Sequence, residues 1–131
     1  MTKIQKNLKY CVYCNKYRLI TNFYRRSLRK HLFHSKCRQC QKHDREQLRK
    51  EMIRAYGSKC SCCGERRHKF LTLDHINGLE GKKRKKTDTL LNELRRLNWP
   101  RDKYQLLCWN CNCAKGLYGK CPHQFTKKGK K

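Results

Sequence analysis

Four Cys-x-x-Cys pairs in one short chain constrain this sequence more than anything else in it: Cys11/Cys14, Cys37/Cys40, Cys60/Cys63 and Cys108/Cys111. Two sulfurs three positions apart on a tight knuckle reach one tetrahedral ion easily, which is a zinc pattern. A disulfide framework would instead show spread cysteines, an even count and a secretory signal. Here the cysteines number eleven, and the chain begins MTKIQK with no apolar run. Two structural zinc ions are therefore expected, and with them a reducing, intracellular compartment. Metal also answers a shortage of core: hydrophobic residues are 37% of the 131, charged residues 34%, and small domains with little apolar interior usually need disulfides or metal.

Charge is the second constraint. Lys and Arg number 35 against nine Asp and Glu, a formal +26. Solubility does not require so much, whereas a polyanionic partner makes the self-repulsion tolerable, and phosphate backbones are the commonest such partner. No stretch approaches the roughly 18 apolar residues of a membrane span, and no basic amphipathic helix with a large apolar face accompanies the charge. A membrane partner is not expected.

The spacing divides the chain. Residues 1–44 form a first four-cysteine finger, with Leu19, Ile20, Phe23 and Tyr24 expected to build a miniature core over one ion. His31, His34 and His43 fit exposed basic positions better than ligand positions. Residues 41–56 lack Gly and Pro and repeat Leu48, Met52, Ile53 and Tyr56 at helical spacing, so residues 45–57 read as a linker helix, with Arg45, Arg49 and Arg54 off the stripe. In residues 58–124, Cys60/Cys63 precede a short strand over 70–73 that runs into Asp74-His75. A turn at Gly78–Gly81 leads to Lys82, Lys83, Arg84, Lys85 and Lys86, a solvated run suited to gripping a backbone. Thr87 can cap a helix bearing Leu90, Leu91, Leu94 and Leu97, which Pro100 ends. A second strand over 104–107 feeds Cys108/Cys111, and a helix over 112–118 follows. Residues 125–131 read as a basic disordered tail. The class is α+β.

Asp74 and Asn112 offer hard oxygen ligands for Mg²⁺ or a similar divalent ion, with open positions for water and a phosphate oxygen. His75 suits a general base. The stretches LDHING (73–78) and LLCWNCNCAKG (106–116) resemble the two halves of a zinc-bound HNH (ββα-metal) endonuclease, a family common in phages and mobile elements. The resemblance covers roughly residues 56–123, and some phage members also carry a preceding cysteine finger. It implies a small ββα-metal domain that hydrolyses DNA phosphodiester bonds. Asp74 and Asn112 would hold the catalytic metal, His75 would activate water, and Lys115 would contact phosphate. Products would be 5′-phosphate and 3′-hydroxyl ends, and one site cuts one strand, so double-strand cutting needs a homodimer or a second event.

One position departs from the family. Its middle Asn, which braces the loop holding the His, is Lys103 here, with Asn77 and Asn110 as substitutes. The competing reading is a non-catalytic zinc protein of the same origin that binds DNA or structured RNA, as a ribonucleoprotein component would. Cys62, Cys113 and Cys121 are left after eight ligands. With His123, the last two supply only three ligands for a further ion, so buried free thiols are expected. Trp109 is expected to pack over the zinc knuckle.

Overall fold

The computed structural model describes residues 7–27, 32–79, 81 and 83–126. His31, Lys82 and the tail residues 127–131 lie outside them. The architecture is small α+β: three two-stranded antiparallel sheets and three helices of ten or more residues. The chain divides into two compact units between Gln47 and Leu48. Among the described residues no helix is long and apolar enough to cross a membrane.

In the first unit, β1 (Leu8–Cys11) pairs with β2 (Lys16–Leu19), and β3 (Phe23–Ser27) pairs with β4 (Leu32–Cys37). Helix α1 (Arg38–Ala55) follows directly. The interior is almost wholly sulfur: Cys11, Phe23 and Cys37 are buried, with Cys14, Phe33 and Cys40 packed against them. Of the miniature core expected from the sequence, only Phe23 is buried; Leu19 is 51% exposed. Among the described residues no second layer covers the far side of these hairpins, so side chains not directed at the sulfurs keep contact with water. His34 and His43 are exposed, as their surroundings predict.

Helix α1 begins at Arg38, before its apolar stripe, because its first turn carries Cys40. Leu48, Met52 and Ile53 bury their side chains in the core of the second unit. That core adds Leu71 from β5 (Leu71–His75), Leu91 from α2 (Thr87–Arg96), and Leu106 and Leu107 from β6 (Tyr104–Cys108). Arg49 is not left to solvent: Nη2 donates to the Leu71 carbonyl at 2.5 Å and the His68 carbonyl at 2.9 Å, tying helix to strand.

Strand β5 pairs antiparallel with β6, with Asp74 opposite Gln105 and His75 opposite Tyr104. Helix α3 (Trp109–Tyr118) starts immediately after β6 and ends at Gly119, whose φ of +75° a side chain would resist. A single turn, α4 (His123–Thr126), closes the described chain. Two details of α2 differ from expectation. Thr87 is the first helical residue rather than its cap, since Lys86 occupies that position without a side-chain hydrogen bond. Leu97 is 61% exposed, because the helix ends at Arg96 and Asn98 and Trp99 then turn through positive φ.

Candidate functional site

All four cysteine pairs combine as their spacing predicts. The Sγ atoms of Cys11, Cys14, Cys37 and Cys40 lie within 4.8 Å of one another, as do those of Cys60, Cys63, Cys108 and Cys111. A tetrahedral ZnS₄ unit with bonds of about 2.3 Å has edges of roughly 3.8 Å. Cys11 and Cys40 sulfurs are 3.9 Å apart and those of Cys63 and Cys108 3.6 Å apart. Both groups are thus compatible with zinc.

Local backbone prepares these sulfurs. Burial pushes the Cys11 thiol up, but the backbone N–H groups of Cys14, Cys37 and Tyr13 outweigh it and bring the thiol down to about 6. The same competition, with donors from Cys63, Cys108 and Cys62, brings Cys60 down to about 7. Cys108 accepts from the Cys111 amide at 3.4 Å and so also caps α3. Gly64, at φ +82°, lets the first knuckle turn back so that its amide reaches the Cys60 carbonyl. At Cys111 the balance reverses: burial first, then the neighbouring sulfurs, drive the thiol far above its ordinary value. Sulfurs this crowded become anionic together only beside a cation.

The remaining cysteines depart from expectation. Cys113 is exposed, as a position on the outer side of α3. Cys62 and Cys121 are buried, and they meet His123 and Cys111 in a third group whose ligand atoms lie within 4.8 Å of one another. Of the three ligands that the sequence offers for a further ion, Cys121 and His123 belong to this group and Cys113 does not; Cys62 and Cys111 supply the other two positions.

Asp74 and His75 stand side by side on β5, so their side chains leave opposite faces of the sheet. The Asp74 side chain is only 11% exposed and its Oδ2 accepts from Lys115 Nζ at 2.5 Å and Gln105 Nε2 at 2.8 Å. Lys115 also donates to the backbone carbonyls of His75 (2.8 Å) and Ile76 (3.0 Å). An ammonium has three protons, and here all three are engaged within the protein. Lys115 is therefore a clamp on the β5 end and not a free phosphate contact. At the same strand end the Lys103 carbonyl accepts from the Ile76 amide at 2.9 Å, and Lys115 holds the carbonyls on either side of that amide. The His75 ring packs against Tyr104, centroids 4.9 Å apart. Asn112 is half-buried on α3, three residues before Lys115 and so on the same flank of the helix. Among the described residues, the side chains hydrogen-bonded to the Asp74 carboxylate are those of Lys115 and Gln105, and neither Asn112 nor the His75 ring is one of them.

Replacing Lys115 by Met should accordingly lower stability by about 2–3 kcal/mol, somewhat less than the roughly 3–5 kcal/mol for stripping one member of a fully buried ion pair, since Lys115 keeps some contact with water. Urea unfolding of metal-loaded protein measures this. A loss within about 0.5 kcal/mol, the ordinary surface range, would mean that the clamp is not holding the strand end.

A cleft of about 290 Å³ opens beside this pair, lined by Gln105, Lys115, Lys120, Ile76, Cys62 and Cys121 among others. Lys83, Arg84, Lys85 and Lys86 are exposed ahead of α2, with Lys85 paired to Glu93 at 2.5 Å. Trp109 is 58% exposed rather than packed over the knuckle, its Nε1 donating to the Lys69 carbonyl at 3.4 Å. No protein-family model, curated protein or solved structure matches the chain.

Proposed function

We propose that the second unit is a metal-dependent nuclease site that hydrolyses DNA phosphodiester bonds, carried on a zinc-stabilised, polyanion-binding chain. One observation carries this reading: a nearly buried carboxylate, Asp74, is fixed at a strand end by two side chains that themselves line an open polar cleft. Ordinary folding does not require a carboxylate there, and desolvating one has a cost that its two donors offset. Both of those bonds fall on Oδ2, so Oδ1 is the oxygen that would hold a divalent ion, and the Asn112 amide oxygen would have to come to it from the flank of α3 that carries Lys115. Such an ion would polarise a phosphate oxygen and stabilise the leaving oxygen. His75 is the base that takes the proton of the attacking water, its backbone anchored by Lys115 and its ring set by Tyr104. Lys120 and the exposed lysines and arginine of 83–86 supply contacts to backbone phosphate.

A specific observation favours a second reading, a binder that does not cut. Lys115 already neutralises Asp74, and a divalent ion would have to share that carboxylate with an ammonium. Supercoiled, linear and branched DNA incubated with and without added Mg²⁺ or Mn²⁺ separates the two readings. Divalent-dependent cutting is expected. Omitting the ion is the proper control, since a chelator would also attack the cysteine sites. Binding without cutting on all three substrates leaves the binder.

For affinity, binding should weaken steeply with salt, with a log–log slope near −0.9 per neutralised phosphate. Neutralising Lys82, Lys83, Arg84, Lys85 and Lys86 should flatten it. Because Lys85 is paired with Glu93, the other four set the limit, roughly 3.6 in slope. An unchanged slope would show that the run does not touch the backbone.

A further inference from the structure

We propose that Cys111 is a bridging thiolate at the centre of a two-zinc cluster. Cys60, Cys63 and Cys108 complete the tetrahedron of one ion, and Cys62, Cys121 and His123 complete that of the other. Two observations lead here. Cys111 belongs to both ligand groups of the second unit, and within each group every ligand atom lies within 4.8 Å of the rest. The distances in the new group also fit a metal edge. His123 Nδ1 is 3.4 Å from both the Cys111 and Cys121 sulfurs. Zinc bonds of about 2.3 Å to sulfur and 2.05 Å to nitrogen at the tetrahedral angle give an S···N edge of roughly 3.6 Å.

Ligand arithmetic selects the bridge. Two four-coordinate ions need eight positions, and seven side chains are present. A thiolate has lone pairs for two metals, whereas an imidazole nitrogen has one, so the shared ligand must be a cysteine. Cys111 is the one at the intersection, fully buried in the first turn of α3. Charge favours the arrangement as well. The second ion enters with two new thiolates and a neutral imidazole, and so adds no net charge to a buried site, where an unbalanced charge is costly. Seated this way, the cluster would pin residues 121–123 to the first knuckle and to α3, forming one wall of the cleft, since Cys62 and Cys121 both line it. The inference uses the four-cysteine sites but not the nuclease reading, and neither one's failure touches the other.

Metal analysis of the full chain, purified without added zinc, is expected to find three zinc ions per chain: one in the first unit and two in the second. The Cys121→Ser/His123→Ala double variant should hold two. The bridge itself is read from the unaltered chain loaded with ¹¹¹Cd and ¹¹³Cd. Three cadmium resonances are expected, two of them split by each other through the shared sulfur and the third unsplit. That measurement does not depend on any variant folding. Two zinc ions in the unaltered chain would overturn the proposal, as would a disulfide between Cys62 and Cys121. Three cadmium resonances without mutual splitting would leave separate sites and overturn the bridge.

Discussion

Stripping zinc from the full chain with a strong chelator is expected to unfold it, not merely to inactivate it. Each structural zinc contributes on the order of 10–16 kcal/mol of apparent folding energy, while a whole domain usually retains about 5–15. Among the described residues the first unit buries three, two of them cysteines, which is little apolar interior to hold it without metal. In the second unit the sulfurs join β6 and α3 to the knuckle at 60–63, and removing Cys60 should have the same result there. Trp99 and Trp109 both lie in the second unit, so their emission reports on that unit, while dispersion of amide NMR signals reports on both. Restoring zinc should restore both signals. A metal-free chain that keeps its dispersed spectrum would refute the structural role of the metal.

The second large effect is on chemistry. His75→Ala should lower cleavage by about 10²-fold or more, since positioned acid–base catalysis is typically worth 10²–10⁴-fold. DNA affinity should barely move, because one imidazole adds little to a field of +26. Asp74→Ala should also stop cleavage, through weaker metal binding, and more Mg²⁺ or Mn²⁺ should restore part of the rate. Added metal should not rescue His75→Ala, whose oxygen ligands are intact. Because Asp74 also anchors Lys115, the Asp74 variant should lose stability as well, a loss His75→Ala should not share. If His75→Ala cuts as fast as the unaltered chain, His75 is not the base.

Spacing made much of this legible. A Cys-x-x-Cys knuckle is a local geometry, and joining each pair to its next neighbour along the chain is the simplest of the three ways in which four pairs can share two ions. Strand β5 running into Asp74-His75 and α3 following Cys108 were equally local. Three features were not. The sharing of Cys111 escapes spacing, because assigning each cysteine once hides a ligand that serves two groups. The Lys115 clamp depends on where α3 lies over the end of β5, a tertiary fact; from sequence alone Lys115 is one lysine among many. The exposure of Leu19 and Leu97 reflects missing neighbours, which periodicity cannot see. The proposed nuclease reading rests on a pattern of residue types around Asp74 and His75, which is local and therefore visible in the sequence.

Sulfur in the interior has a thermal consequence. Seven of the sixteen residues buried among those described are cysteines, and the apolar surface exposed on unfolding is correspondingly small. The heat-capacity increment of unfolding, which follows apolar exposure and normally runs at about 12–15 cal/mol/K per residue, should fall well below that range. The stability curve would then be nearly flat with temperature, without the pronounced maximum of an oil-cored domain. What would fold and unfold such a chain is the free zinc concentration, through mass action on its ligands. It would respond to metal supply as other proteins respond to heat.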